Sequence, residues 1–349
     1  MTPGQAAAGG AALFDAGEMC DTGAWRVNAM SDGISGLGRI LAALLLLVSL
    51  AAPAMAGGRL EIPFRINHRD HMVIDLKIND QTEVTGVIDT AATYPMVDSA
   101  AALRSGVIPP VAGAPMINVL GINGDRDFPV VHIGSVTAGN ARLNALNAAY
   151  NEDIEVPGSP LNILPASAIP GDVLEFDFER GLISTYDGRP QNAPSRYVQT
   201  VDYMVDDGLI FVSIQMNGHK GLALIDTGSS ITFVNSAYAR KANIRREEDL
   251  TRHILGMTGG QDDVWVGKAR KVRLGDFFFE RPNLLVSDPV IFDRLGLSDQ
   301  PIMVLGLDFL SRFRIQFDRP RGKVVFSVPA HTVGGVRMNL SAPASRLDD

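Results

Sequence analysis

The chain has 349 residues, 46% of them apolar and 20% charged, with a formal net charge of −8, a composition that folds around a core as one large domain or two modest ones. No basic stripe or Lys/Arg cluster accompanies the negative charge, which argues against a nucleic-acid or anionic-membrane partner. Cys20 is the only cysteine, so an intrachain disulfide framework is excluded and stability has to come from packing.

The first distinctive segment is apolar. Residues 40–50 follow Arg39 and run into Ala51-Ala52-Pro53-Ala54-Met55-Ala56, the succession of basic residue, short apolar core and Ala-x-Ala site that a signal peptidase reads. The core is shorter than the roughly 20 residues a membrane span needs. We therefore expect residues 1–56 to be an N-terminal extension and export signal cut after Ala56, with Met30 as the physiological start. Location is then periplasmic or secreted, with no stable membrane span once the signal is removed.

From Leu60 onward the chain reads as short strands rich in Val, Ile, Leu and Phe, punctuated by Gly, Asn and Asp. Val73-Ile74-Asp75-Leu76-Lys77-Ile78 alternates like a half-buried strand, and an apolar run then ends in Ile88-Asp89-Thr90-Ala91-Ala92. Nine residues after Asp89 comes Asp98, a residue that caps helices, followed by Ser and Ala. Leu120-Gly121-Ile122-Asn123-Gly124 is a plausible hairpin tip, and Ile163-Leu164-Pro165 precedes Phe176-Asp177. A polar, proline-containing stretch without period, centred on Tyr186 to Ser195, is the natural linker.

Beyond the linker the same landmarks return in the same order. Phe211-Val212-Ser213-Ile214-Gln215-Met216 alternates before the turn signal Asn217-Gly218, and a second apolar run ends in Ile225-Asp226-Thr227-Gly228-Ser229. Asn235 again stands nine residues after the Asp. Leu255-Gly256-Met257-Thr258-Gly259 repeats the hairpin tip, and Val304-Leu305-Gly306 precedes Phe317-Asp318 at the spacing seen in the first half. A repeat this long is a duplicated domain, not an array of short units. The expected organisation is a first lobe over 57–187, a linker over 188–196, a second lobe over 197–330 and a C-terminal tail over 331–349. Asp21-Thr22-Gly23 is a further copy of the tripeptide with no apolar run before it, and falls in the removed segment.

Two carboxylates on two related turns are what a water-activating acid dyad needs, because one has to be protonated while its neighbour is ionised. On these residues the chain resembles the retropepsin-like and pepsin-like aspartic peptidases over most of residues 60–328, above all bacterial ones that carry export signals. The resemblance implies an all-β, two-lobed acid-protease fold from a tandem duplication, with short helices. It also implies catalytic Asp89 and Asp226, with Thr90, Thr227, Gly228 and Gly306 supporting their turns. Peptide-bond hydrolysis on a peptide or protein substrate follows, by a monomeric pseudo-dimer in preference to an obligate homodimer, with no metal or organic cofactor. A mobile lid would come from one of the hairpins marked by Gly121 and Gly124 or by Gly256 and Gly259.

The first lobe departs from the family pattern, with Ala91 and Pro165 where glycine is usual. Ala is penalised at positive φ and Pro lacks an amide donor. Two alternatives stay open on that ground: a non-catalytic peptide-binding or scaffold protein that keeps the cleft, and a dyad built from Asp226 of two chains. His68-Arg69-Asp70-His71 has no evident third ligand and reads as a solvated loop, not a metal site. No serine-nucleophile elbow or phosphate-binding loop is present in the sequence.

Overall fold

The computed structural model describes residues 58–121, 124–154, 161–255 and 261–330. The expected export signal, Met30, Asp21 and the tail lie outside this range, as do Ile122, Asn123, Gly256 and Gly259. The described residues are mostly β-strand with four short α-helices. The all-β acid-protease architecture is observed. None of these helices is long and apolar enough to cross a membrane.

The two halves repeat one wiring. In the first, the strand Met72–Ile78 turns back as Thr82–Asp89, with Ile74 opposite Gly86. In the second, Leu209–Met216 turns back as His219–Ile225, with Phe211 opposite Leu224. The second strand of each hairpin then takes a parallel partner, Asn162–Pro165 in the first half and Ile302–Leu305 in the second. A short strand returns beside that partner in each, Met96 opposite Ile163 and Phe233 opposite Val304. The apolar runs read from sequence are the buried centres of these layers, with Ile88 and Ile225 both 0% exposed.

Both short helices begin at the capping residues found by spacing. Asp98 accepts hydrogen bonds from the amides of Ala100 and Ala101 at the start of Ser99–Arg104, and Asn235 accepts from Tyr238 N at 2.8 Å at the start of Ser236–Lys241. Each cap satisfies amide groups that the helix leaves without a partner, a contribution of about 1 kcal/mol. The helices fix where the chain goes after each Asp-Thr turn.

A six-stranded antiparallel sheet joins the halves, running Leu60–Ile66, Leu182–Tyr186, Val173–Asp177, Arg314–Asp318, Lys323–Pro329 and Ser195–Asp206. Its central pair is the repeated Phe-Asp element, with Phe176 opposite Ile315 and Phe317 opposite Leu174. The residues meeting at its centre are Glu175 and Gln316, each 1% exposed. Arg314 and Arg59 donate to Glu175 at 2.6 and 2.9 Å, and Gln316 Nε2 donates at 2.9 Å. A buried carboxylate costs several kcal/mol unless paired, and these donors satisfy it. Residues 187–194 carry no regular structure, so the polar stretch between the halves is the connection into the strand that begins at Ser195.

Candidate active site

Each aspartate leaves a buried strand at the point where the chain turns. Parallel pairing sets Asp89 beside Pro165, and Asp226 N donates to Leu305 O at 3.0 Å, one residue beyond the Ile225–Leu305 pair. In the first turn Ala91 N donates to Asp89 Oδ1 at 2.7 Å. In the second, Gly228 N and Ser229 N donate to Asp226 Oδ1 at 2.8 and 3.0 Å. Two turns of the same hydrogen-bond design therefore present two carboxyls.

The threonines lock the turns together. Thr90 Oγ1 accepts from Thr227 N at 3.0 Å and donates to Ile225 O at 2.7 Å; Thr227 Oγ1 accepts from Thr90 N at 3.1 Å and donates to Ile88 O at 2.8 Å. Both side chains are buried, so these bonds are shielded from water. Beside them the two carboxyls are close enough to share a hydrogen bond. Asp226 is 6% exposed and Asp89 is partly exposed.

Burial pushes both acids above the ordinary carboxylate range. Asp226 is raised well above it, first by desolvation and then by the negative charge of Asp89. Asp89 is raised by desolvation against the opposing pull of the Ala91 and Ala92 amides and of Asp226 itself. Two carboxyls this close resist double ionisation, so they titrate as one coupled pair of raised proton affinity.

Close approach explains the glycines of the second turn. A Cβ on Gly228 would lie 2.6 Å from Asp89 Cγ, and one on Gly306 would lie 2.6 Å from the Ile231 carbonyl carbon. Gly306 N donates to Thr232 Oγ1 at 2.9 Å, and that hydroxyl donates onward to Asp308 Oδ1 at 2.6 Å. Burial pushes the Asp308 carboxyl up to about 6.

In the first lobe Ala91 and Pro165 leave the hydrogen bonds of the Asp89 turn in place. Ala91 is not among the residues with positive φ, so its Cβ carries no backbone penalty, and the methyl packs on the apolar cluster that contains Leu209, Phe211 and Phe292. Pro165 takes the place of Gly306, and Pro95 takes the place of Thr232 in the matching register. The donor and the acceptor of the Gly306–Thr232 bond are thus both replaced by proline rings. Removing both members of a buried hydrogen bond is nearly neutral, whereas removing one is costly.

Of the two hairpin tips, the one at Gly121 and Gly124 is described: these residues pair at the end of Met116–Gly121 and Gly124–Ala138. This hairpin reaches the other lobe, where Arg294 donates to Asp125 Oδ1 at 2.5 Å and Leu120 packs against the cluster around Phe292. The second hairpin, Arg245–Leu255 with Gln261–Lys268, has its Gly256 and Gly259 tip outside the described residues.

Sequence reasoning misplaced one residue. His71, read as part of a solvated loop, is half-buried and its imidazole N–H donates to the Gly228 carbonyl of the opposite lobe. The register signal that would have found it matches His71 to Leu209, since Ile74 stands opposite Gly86 as Val212 stands opposite Ala223, and Asp70 and Gly208 both hold positive φ. Asp308 and the Arg294–Asp125 contact were also not foreseen.

The fold and the paired Asp-Thr turns are those of the acid-protease class. An aspartyl-protease family model matches residues 74–165, and a gag-polyprotein aspartyl-protease model matches residues 212–312. Over these residues the chain is similar to retropepsin-like aspartic proteases. It is 31% identical over 121 residues to Protein DDI1 homolog 1 of Homo sapiens, covering 34% of this chain and 27% of that one. Protein DDI1 homolog 2 of Danio rerio is 30% identical over 132 residues, 37% of this chain and 27% of the relative. Human Protein DDI1 homolog 2 is 25% identical over 170 residues, 48% and 37% of the two chains. The chain thus spans between about a quarter and somewhat over a third of the length of these relatives.

Proposed function

We propose that the protein is an aspartic endopeptidase in which Asp89 and Asp226 act as one dyad within a single chain. The observation that carries this reading is the pair of carboxyls that share a hydrogen bond on turns locked together by Thr90 and Thr227. Asp89, ionised, takes a proton from water as the water oxygen bonds to the scissile carbonyl carbon, while the Asp226 carboxyl hydrogen-bonds the carbonyl oxygen. In the second half Asp89 gives its proton to the departing nitrogen, the C–N bond breaks, and Asp226 ends protonated as it began. Neither step requires a metal or an organic cofactor.

The Gly121–Gly124 hairpin is the lid in this reading, supported by its contacts with the opposite lobe. The preserved hydrogen bonds of the first turn favour a competent dyad over the scaffold alternative. Export rests on the apolar segment and Ala54-Met55-Ala56 alone. The test is cleavage of a denatured-protein peptide pool by the full chain across acid to neutral pH, followed by mass spectrometry. Cleavage lost by orders of magnitude in both Asp89→Asn and Asp226→Asn, with folding retained, supports the reading. A folded wild type that binds peptides and cuts none would establish the scaffold in its place.

A further inference from the structure

The two turns are alike in their own hydrogen bonds but not in what stands behind them. The carbonyl of Gly228 and the amide of Ser229 belong to one peptide unit. Its N–H donates to Asp226 Oδ1 at 3.0 Å, and its oxygen accepts from the His71 imidazole. A continuous path runs from imidazole through a peptide to the carboxyl, and bonds in such a chain polarise one another. The first turn has the same inner half, an Ala92 amide donating to Asp89. Its outer half is missing: Ile74 stands opposite Gly86 as Val212 stands opposite Ala223, so the residue equivalent to His71 is Leu209, whose apolar side chain belongs to the cluster on which Ala91 packs and has no proton to donate.

Resting on the dyad reading above, we propose that His71 is a positioning residue that holds the Gly228–Ser229 peptide against Asp226, so that its protonation tunes one acid of the dyad and leaves the other alone. The charged groups around the imidazole are Arg69 and Asp70 on its own turn and, through the Gly228 turn, Asp226 with Asp89 beside it. Burial lowers the His71 pKa below its ordinary value, opposed by the Gly228 carbonyl and Asp70. Its titration therefore lies on the acid side of neutrality. Protonated His71 draws electron density from the peptide, strengthens the Ser229 N–H as a donor and favours ionised Asp226. Ionised Asp226 in turn favours protonated His71, since coupling of this kind is reciprocal.

Two measurements on the full chain decide it. The first follows the His71 ring protons by NMR against pH in wild type and in Asp226→Asn. The wild-type curve is expected to carry a second inflection where Asp226 ionises, which the variant, neutral at that position, lacks; curves of the same form in both proteins overturn the proposal. The second compares pH–rate profiles. His71→Ala removes the donor, so the alkaline limb should move to higher pH, and His71→Gln, which restores a neutral N–H, should bring it back. A rate lowered equally at every pH in His71→Ala means a merely structural role and overturns the proposal. If wild type hydrolyses nothing, the peptidase reading fails, while the NMR comparison still decides whether His71 and Asp226 are coupled.

Discussion

Thr90 and Thr227 exchange four hydrogen bonds across the lobe interface, each hydroxyl accepting the other's amide and donating to the carbonyl just ahead of the other's aspartate. The geometry of the two carboxyls is therefore a property of the pair of lobes, because neither turn is complete alone. Thr227→Val keeps the shape but leaves Thr90 N and Ile88 O buried without these partners, a loss of about 2–4 kcal/mol. Thr227→Ser should retain most of that. Chemical denaturation of the three proteins distinguishes them, and equal stability of Val and wild type would show that the exchange contributes nothing.

The raised proton affinity of the dyad has a stability consequence whose sign is fixed. Asp226 has a folded-state pKa above its ordinary value of 3.8, so the folded protein binds more protons than the unfolded chain. The stability associated with the protonated carboxyl is fully present below that ordinary value and is lost as pH rises through the folded pKa. Asp226→Asn imitates the protonated form. It should raise the melting temperature at pH 7 by several degrees and have little effect near pH 3. Calorimetry at the two pH values checks this, and a variant less stable than wild type at pH 7 contradicts the burial argument.

Asp308 adds a smaller version of the same effect. Burial against Thr232 pushes its pKa up to about 6, so its protonated form stabilises the fold at acid pH and that contribution fades as pH rises through 6. Asp308→Asn should flatten the decline in stability between pH 5 and 7, on the order of 1 kcal/mol. An unaltered decline would place the titration elsewhere.

Much of this site was legible in the sequence because its parts are local. A strand, a turn and a cap occupy consecutive residues, so Asp89, Asp226, Asp98 and Asn235 could be found from spacing and then matched between halves. What could not be read depended on contacts between distant residues. Ala91 and Pro165 looked like two defects in the first lobe. Only the register that sets Pro95 in the place of Thr232 shows Pro165 to be one half of a paired replacement. His71 looked like a loop residue since its partner belongs to the other lobe, and the hairpin that bridges the lobes is marked by Asp125 and Arg294, 169 residues apart.

The proline pair makes a cycle of variants informative. Pro165→Gly alone introduces an amide with no hydroxyl opposite it and adds backbone freedom to the unfolded chain, so it should cost about 1–3 kcal/mol. Adding Pro95→Thr supplies the acceptor found in the second lobe. The double variant should recover part of the loss, giving a coupling energy of about 1 kcal/mol. Strict additivity in denaturation experiments would mean that the two positions do not face each other as Thr232 and Gly306 do.

The Arg294–Asp125 pair is the part of the proposed lid most open to direct perturbation. The Asn118 amide and the Arg294 guanidinium hold Asp125 below the ordinary carboxylate range, so the contact is intact wherever the dyad is half-protonated. Both side chains are substantially exposed, and salt should weaken the attraction. Arg294→Ala should free the hairpin tip, seen as faster limited proteolysis between residues 116 and 138 and a severalfold rise in KM with a smaller change in kcat. The reversed pair, Arg294→Asp with Asp125→Arg, should restore the protease resistance that either single change loses. If Arg294→Ala leaves both proteolysis and KM as in wild type at low salt, the ion pair does not hold the hairpin over the cleft, and closure would have to rest on the apolar seat of Leu120 alone.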